Sequence, residues 1–178
     1  MDSQLSEKYR LLGEHVVTRA EWRETMERFK SKELPTHWRN QYPFLFSQQD
    51  FDILKNQNSF LAEWWGAALI YESTGMHALV DKYGHHGGSG TWPEKQAILA
   101  DYVTPEQQQS LTKRRPENGS TPPDLFLFDP KHQQSCMMCE CKSPTDKLRT
   151  KQCELFDILQ ETTGIEVVQF RFRYPDVT

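Results

Sequence analysis

The sequence predicts an α/β protein in which a helical N-terminal extension precedes a small mixed sheet flanked by helices. The chain has 178 residues, about the length of one domain. Hydrophobic residues make up 37% of it and aromatic residues 12%, which is enough bulky apolar material for one core. Apolar residues recur at helical spacing in the first half, whereas short apolar runs typical of strands occur in the second half.

Helices dominate the first half of the chain. Helical spacing predicts helices at residues 19–29, 48–54, 60–71 and 92–102. A further helix is expected to begin at residues 104–106, because a threonine cap followed by proline is typical of a helix start. A polar segment rich in turn-forming residues follows this helix, and we interpret it as a loop or internal boundary.

Strands alternate with a helix in the second half. Apolar runs predict strands at residues 125–128, 135–142 and 167–174, and the amphipathic segment 150–163 predicts a helix. Strand, strand, helix and strand in close order indicate a small mixed sheet with helices packed on it. We therefore divide the chain into a helical extension at residues 1–57 and a core at residues 58–178. The two parts could also pack together as one compact unit.

Charge and composition exclude several functional classes. The formal net charge is −4 and the pI is about 5.9, which argues against coating of nucleic acid by bulk electrostatics. The apolar stretch 67–71 is far shorter than the roughly 18 residues that cross a bilayer, and the N-terminus has no apolar signal segment. Three of the four cysteines fall within residues 136–141, which indicates reduced thiols. We expect a protein without membrane contact in the cytoplasm, nucleoid or nucleus.

Two carboxylates and a lysine occur on neighbouring predicted strands. Asp124 precedes the first strand of the second half, and Glu140, Cys141 and Lys142 end the next one. Side chains alternate between the two faces of a strand, so Glu140 and Lys142 share a face. Because Asp124 enters from the neighbouring strand, the three charged groups could converge on one spot.

This combination of groups is typical of a site for a hard divalent cation. Asp124, Glu140 and the backbone carbonyl of Cys141 could hold Mg²⁺, which prefers oxygen ligands and keeps several waters. The ion would polarise a phosphodiester and lower the pKa of a bound water, while Lys142 would orient that water or offset charge in the transition state. The pattern favours metal-assisted phosphodiester hydrolysis, although a turn and a solvated strand face would also explain these residues.

Four segments around these residues follow one another in a specific order. They are PPDLFLF at 122–128, CECKSPTDKL at 139–148, a helical KQ at 151–152 and GIEV at 164–167. Together they resemble the virus-type replication-repair nuclease (VRR-NUC) domain of the PD-(D/E)xK nuclease superfamily, over residues 119–173. The resemblance implies a restriction-endonuclease-like α/β core.

The resemblance also implies roles for individual residues. Asp124 and Glu140 would be catalytic metal ligands, Lys142 would be the catalytic lysine, and Gln152 would lie at the edge of the site. A Mg²⁺- or Mn²⁺-dependent DNA nuclease is the implied activity, with branched, flapped or junction DNA as substrate in replication, repair, phage or defence contexts. For a junction substrate, a two-fold homodimer is expected.

The family also uses an acidic residue from an earlier helix, and two glutamates of the Trp-rich helix are candidates. Glu63 and Glu72 lie half a turn out of phase, so only one of them can face the sheet. We favour Glu63 as a catalytic residue and metal ligand, because the small residues Gly66 and Ala67 follow it and would allow close approach to a sheet. Glu72 is the alternative.

Basic residues near the predicted site could form a rim that positions the DNA backbone, although charge runs are also common on solvated surfaces. These residues are Lys113, Arg114, Arg115, Lys147, Arg149 and Lys151. Two other functions are consistent with the same site. One is a catalytically silent nuclease-like module that binds nucleic acid or protein, and the other is a DNase toxin.

Overall fold

A five-stranded mixed sheet lies at the centre of the fold. The computed structural model describes residues 8–54, 59–80, 93–112 and 121–176. Strands β1 to β5 are Arg10–Val16, His77–Leu79, Leu125–Phe128, Cys136–Lys142 and Val167–Arg173. Their order across the sheet is β1, β5, β4, β3, β2. β5 runs parallel to both β1 and β4, whereas β3 is antiparallel to both β4 and β2.

Helices cover both faces of this sheet. In chain order, α1 to α7 are Arg19–Lys30, Glu33–Gln41, Gln48–Leu54, Leu61–Thr74, Pro93–Tyr102, Pro105–Thr112 and Thr150–Thr163. One apolar cluster packs α1 to α4 against one face, and a second packs α5 to α7 against the other. The predicted α/β fold is confirmed. Within the described ranges, no helix has the length and apolar character needed to span a membrane.

The predicted strands and helix of the second half correspond to β3, β4, β5 and α7, but the sequence analysis missed β1, β2 and α2. β1 lies in the segment predicted to be a helical extension, and it pairs with β5 from Arg10 opposite Val168 to Val16 opposite Arg173. Every residue of β1 is exposed or half-buried, and the strand lacks the apolar run that identifies a buried strand. The extension therefore contributes an edge strand to the sheet and is not purely helical.

A close contact between α4 and the sheet depends on a glycine. A Cβ atom at Gly66 would lie 2.9 Å from Sγ of Cys141 and 3.6 Å from Cδ1 of Phe170. Any side chain at this position would therefore push α4 away from β4 and β5. Glu63 lies one helical turn before Gly66, so the same contact brings its carboxylate to the sheet. The small residues of this helix have the packing role that the sequence predicted.

A buried ion pair connects α3 to α5. Nζ of Lys95 lies 2.5 Å from Oδ1 of Asp50 and donates a 2.6 Å hydrogen bond to the carbonyl of Val80. Asp50 is 2% exposed and Lys95 is 4% exposed. Oδ2 of Asp50 also accepts hydrogen bonds of 2.8 and 2.7 Å from the N–H and hydroxyl of Ser47. The pair is therefore embedded in hydrogen bonds, as a buried charge must be.

Replacing the buried lysine should destabilise the protein strongly. Lys95→Met would leave the Asp50 carboxylate buried without its cation, so we expect the free energy of unfolding to fall by about 3–5 kcal/mol. Urea denaturation followed by circular dichroism measures this change. Arg28→Ala is the control, because Arg28 forms an exposed ion pair with Glu33 and its loss should leave the midpoint almost unchanged. Equal midpoints for the two variants would contradict the prediction.

Candidate active site

A cleft of about 400 Å³ lies at the carboxyl end of β4. Its walls come from α1, α4, β4 and the start of α7. The lining includes every residue predicted to be catalytic or to bind metal, namely Glu63, Asp124, Glu140, Cys141, Lys142 and Gln152. Residues that are far apart in the sequence therefore meet in one place.

Asp124 is anchored to the backbone between Glu140 and Lys142. Its Oδ2 atom accepts a 2.9 Å hydrogen bond from the N–H of Cys141. This contact follows from the antiparallel pairing of β3 and β4, in which Leu125 lies opposite Cys139. Continuing that register by one residue places Asp124 beside Glu140. The two carboxylates are therefore brought together by backbone pairing.

Glu140, Lys142 and Gln152 form a buried set of polar side chains, which we call the polar cluster. Nζ of Lys142 lies 2.8 Å from Oε1 of Glu140, and Nε2 of Gln152 donates a 2.9 Å hydrogen bond to the same oxygen. Nζ also donates a 3.3 Å hydrogen bond to Oε1 of Gln152. The three residues are 3%, 5% and 5% exposed. Each member contacts the other two, so the cluster holds its members in fixed positions.

Gln152 connects the cluster to the start of α7. It occupies the third position of the helix, and its Oε1 atom accepts a 3.2 Å hydrogen bond from the N–H of Arg149, just before the helix. The same side chain therefore satisfies a backbone donor at the helix start and orients both charged residues of β4. These contacts explain why Gln152 in the first turn of α7 accompanies Glu140 and Lys142 of β4.

Burial and neighbouring charges act on Lys142 in opposite directions. Burial lowers the pKa of its ammonium group, but attraction to Glu140 and the hydrogen bond between them, together with Asp146 and Asp124, raise the pKa above its ordinary value of 10.5. Oδ2 of Asp146 lies 3.5 Å from Nζ of Lys142. The net effect keeps the lysine positively charged at neutral pH, inside a cleft that also contains carboxylates.

The thiol of Cys141 is held in its neutral form. A hydrogen bond with Cys139 and burial raise its pKa well above the ordinary value, and the negative charges of Asp124 and Glu63 add to this shift. A neutral thiol is a weak metal ligand, because metals bind the thiolate. The thiol is therefore a poor ligand, and the expected use of the Cys141 backbone carbonyl as a metal ligand stays a prediction.

The two candidate glutamates of α4 occupy different environments. Glu63 lines the cleft and lies close enough to Cys141 to affect the pKa of its thiol. Glu72 instead accepts a hydrogen bond from the hydroxyl of Tyr42. The structure therefore brings Glu63 to the predicted metal ligands, and Glu72 has a partner elsewhere.

The oxygen ligands that the cleft offers suit a hard cation only if bound waters complete its coordination. Among the residues that the structure describes, no three His, Cys, Asp or Glu side chains are arranged to hold an ion by themselves. The candidate ligands are carboxylates of Asp124, Glu140 and Glu63 and the carbonyl of Cys141. Mg²⁺ is usually bound through one or two carboxylates and keeps several waters, so this oxygen-rich set fits it.

The predicted basic rim is divided between three locations. Arg149 lines the cleft, and Lys147 lines a groove that adjoins it. Lys151 is exposed at the start of α7 and lines neither. The predicted residues 113–115 lie outside the described part of the chain.

Several residues that line the cleft are not among the predicted site residues. Asp146 belongs to the turn that was used for the resemblance, and its contact with Lys142 could have been inferred from that turn. Trp22 and Met26 of α1 form an apolar wall, and Trp22 stacks on Trp65 with ring centroids 5.8 Å apart. No sequence signal links this wall to β4, because α1 packs there through tertiary contacts alone.

A mixed sheet between helices, with paired carboxylates and a lysine at the end of a strand, defines an α/β fold with a nuclease-like core. In agreement with this arrangement, the VRR-NUC domain family matches residues 91–171. The match covers slightly less than half of the chain, and it confirms the resemblance to this nuclease domain family that was noted from the sequence. No curated protein and no solved structure matches the chain.

The matched segment contains most of the polar site but not all of it. Asp124, Glu140, Lys142 and Gln152 lie within residues 91–171. Glu63 lies outside this range, on α4, and reaches the cleft through the packing of that helix on the sheet. A nuclease domain implies nucleic acid as the substrate, and the cleft is the place where these residues would meet it.

The raised pKa of Lys142 should depend on Glu140. Glu140→Gln removes the attracting charge but keeps the burial, so we expect the pKa of Lys142 to fall from its raised wild-type value. The change can be followed by NMR titration of the lysine ¹³Cε signal, with the exposed Glu161→Gln as control. An unchanged titration midpoint would refute this electrostatic assignment. Because the folded-state pKa is raised in the wild type, the pairing stabilises the fold below the unfolded pKa and is lost as the pH rises through the folded value.

Proposed function

We propose that the protein is a Mg²⁺- or Mn²⁺-dependent DNA nuclease that hydrolyses phosphodiester bonds. The observation that carries this proposal is the convergence of Asp124, Glu140 and Lys142 in one cleft, with Asp124 bound to the N–H that lies between the other two. Carboxylates for a metal and a charged lysine beside them are the groups that phosphodiester hydrolysis needs.

Each residue of the site has a role in this proposal. Asp124, Glu140, Glu63 and the Cys141 carbonyl, together with bound waters, would hold the ion, which when bound polarises the phosphodiester and lowers the pKa of a water. Lys142, charged at neutral pH, offsets the negative charge that develops on the phosphate in the transition state. Gln152 fixes the direction of both the lysine and its partner carboxylate.

We further propose that the substrate is branched, flapped or junction DNA, in replication and repair or in phage and defence processes. The apolar wall of Trp22 and Met26 beside the polar cluster supports this, because an aromatic side chain at a cleft can stack on an unpaired base. The basic residues at positions 113–115, Lys147, Arg149 and Lys151 would hold the DNA backbone. A two-fold homodimer stays a prediction for the case of a junction substrate.

Metal-titrated cleavage of labelled DNA tests the proposed activity. We expect the wild type to cut at least one of flapped, junction, duplex and single-stranded DNA with Mg²⁺ or Mn²⁺ but not with EDTA. Lys142→Ala and Glu140→Ala should each lower the rate about 100-fold or more, because they remove transition-state charge stabilisation or a metal ligand.

The two glutamates of α4 provide a matched comparison in the same assay. Glu63→Gln should reduce the rate of cleavage. Glu72→Gln should cleave DNA at the wild-type rate, because Glu72 contacts Tyr42 and does not line the cleft. If no DNA form is cleaved in the presence of metal, the proposed nuclease activity is wrong. The catalytically silent module that binds nucleic acid or protein would then be favoured. Toxicity on expression that Glu140→Ala abolishes would point to the DNase toxin.

Gln152 should act through the residues it orients. Gln152→Met keeps the length of the side chain but removes its hydrogen bonds to Glu140 and Lys142, so we expect kcat to fall about 10- to 100-fold. Steady-state cleavage kinetics measure this, with thermal unfolding as a check on folding. Glu161→Gln, exposed on the same helix, should retain wild-type kcat. Full activity in Gln152→Met would show that the cluster does not need this orientation.

A further inference from the structure

Arg149 lies at the edge of the active-site cleft, immediately before α7. It lines the cleft together with Asp124, Glu140 and Lys142, and it is exposed to solvent. Its Nε atom donates a hydrogen bond of 3.4 Å to Oε1 of Gln152. This distance is long for an N–H···O bond, so the contact gives the side chain a direction without holding the guanidinium tightly.

The charge of Arg149 is not paired with a protein carboxylate. Lys142, by comparison, lies 2.8 Å from the Glu140 carboxylate. Within the part of the chain that the structure describes, Arg149 forms no ion pair, and its side chain contacts the neutral amide of Gln152. An anion that enters the cleft can therefore pair with Arg149 without displacing a carboxylate from it.

Arginine is an unfavourable residue at this place in the helix. Arg149 is the N-cap of α7, a position at which serine, threonine, aspartate and asparagine are preferred because their side chains accept hydrogen bonds from the first N–H groups. A guanidinium has no acceptor atom. The helix dipole also disfavours a cation at a helix N-terminus. A residue that weakens the helix start in two ways is typical of one that is kept for its chemistry.

Gln152 holds Arg149 close to the lysine of the polar cluster. Its Oε1 atom accepts hydrogen bonds from Nζ of Lys142 at 3.3 Å and from Nε of Arg149 at 3.4 Å. Two nitrogens that share one acceptor oxygen in this way are at most about 7 Å apart. Hydrogen bonds of about 2.8 Å from each nitrogen to different oxygens of one phosphate span this separation. The two cations can therefore bind the same phosphate group.

We propose that Arg149 is a further catalytic residue, which donates hydrogen bonds to the non-bridging oxygens of the phosphodiester that is cut. Lys142 and Arg149 then stabilise the charge on one phosphate together. This role rests on the proposed nuclease function. It differs from the role of a basic rim, because the contact is made with the scissile phosphate and not with the DNA backbone beside it.

The arginine exchanges no proton in this role. In the hydrolysis, the oxygen of a water molecule bonds to phosphorus, and the bond from phosphorus to the leaving sugar oxygen breaks. The water loses a proton to solvent, and the sugar oxygen takes one up. Negative charge on the non-bridging oxygens is stabilised most where fixed donors already point at them. A guanidinium stays protonated throughout and offers these oxygens planar, two-pronged hydrogen bonds.

Arg149→Ser tests the proposal, because it changes catalysis and stability in opposite directions. Serine can cap α7, so we expect the thermal unfolding midpoint to rise by about 2–4 °C. Loss of the guanidinium should lower kcat about 100-fold on the DNA form that the wild type cuts best, measured with saturating Mg²⁺ or Mn²⁺. KM should change little, because the contact strengthens mainly in the transition state. Arg149→Gln should lower kcat in the same way if serine alters the start of the helix.

Three further variants separate this role from that of other cations. Arg149→Lys keeps the charge but loses the planar geometry, so we expect kcat to fall about 10-fold. Lys151→Gln removes a cation of the rim from the same helix and should raise KM while kcat stays at the wild-type value. Arg10→Gln removes an arginine that pairs with Glu166 and lines neither the cleft nor the adjoining groove, so it should match the wild type in both constants.

The failures of the catalytic role and of the nuclease are distinguishable. If the wild type cuts DNA but Arg149→Ser and Arg149→Gln keep the wild-type kcat, or only raise KM as Lys151→Gln does, the catalytic role of Arg149 is wrong and the nuclease stands. If the wild type cuts no DNA form, both proposals are wrong.

Discussion

The geometry of the candidate active site depends on the hydrogen bond from the Cys141 N–H to the Asp124 carboxylate. It lies where the antiparallel pairing of β3 and β4 ends, so the register of two strands fixes the position of one carboxylate relative to the other. The alternation of side chains along β4 then places Glu140 and Lys142 on the same face of the sheet, which is the face on which α7 packs. A one-residue slip in this register would turn the whole charged set toward the opposite apolar cluster. The chemistry of the site is therefore specified by backbone pairing before any side-chain contact is considered.

The polar cluster is costly to bury, and its architecture shows how that cost is offset. Removing Glu140 and Lys142 from water is unfavourable unless the remaining polar atoms find partners. Gln152 supplies those partners from α7, and it also satisfies a backbone donor at the start of that helix. One residue thus links helix formation, charge burial and site geometry. Such a cluster contributes little net stability compared with an apolar core, which is the expected pattern when a charged group is kept for chemistry.

The sequence alone was sufficient to predict those strands and helices whose hydrophobic pattern lies within a single segment. The apolar run of β3, the alternation of β4 and the amphipathic pattern of α7 each lie within one segment, and the acidic and basic residues of the site follow from their spacing there. β1 was missed because its edge position leaves it half polar, and its pairing with β5 is a contact between distant parts of the chain. The position of Arg171 beside Lys142 likewise follows only from the register of β5 against β4. Glu63 was favoured over Glu72 because small residues on a helix indicate close packing, and Glu63 does line the cleft, but its role as a metal ligand stays a prediction.

The position of β1 has a consequence for how the protein is made. Within the described sheet, β1 is hydrogen-bonded only to β5, although it is the first of the five strands along the chain and β5 is the last. On the ribosome, β1 therefore emerges long before its partner, and the nascent protein must carry an open strand edge until β5 has been made. Pairing over such a sequence separation is also slow, because a long loop must close before the contact forms. Closure of the sheet therefore has to wait for β5, and termination of synthesis before β5 leaves an aggregation-prone edge rather than a smaller folded protein.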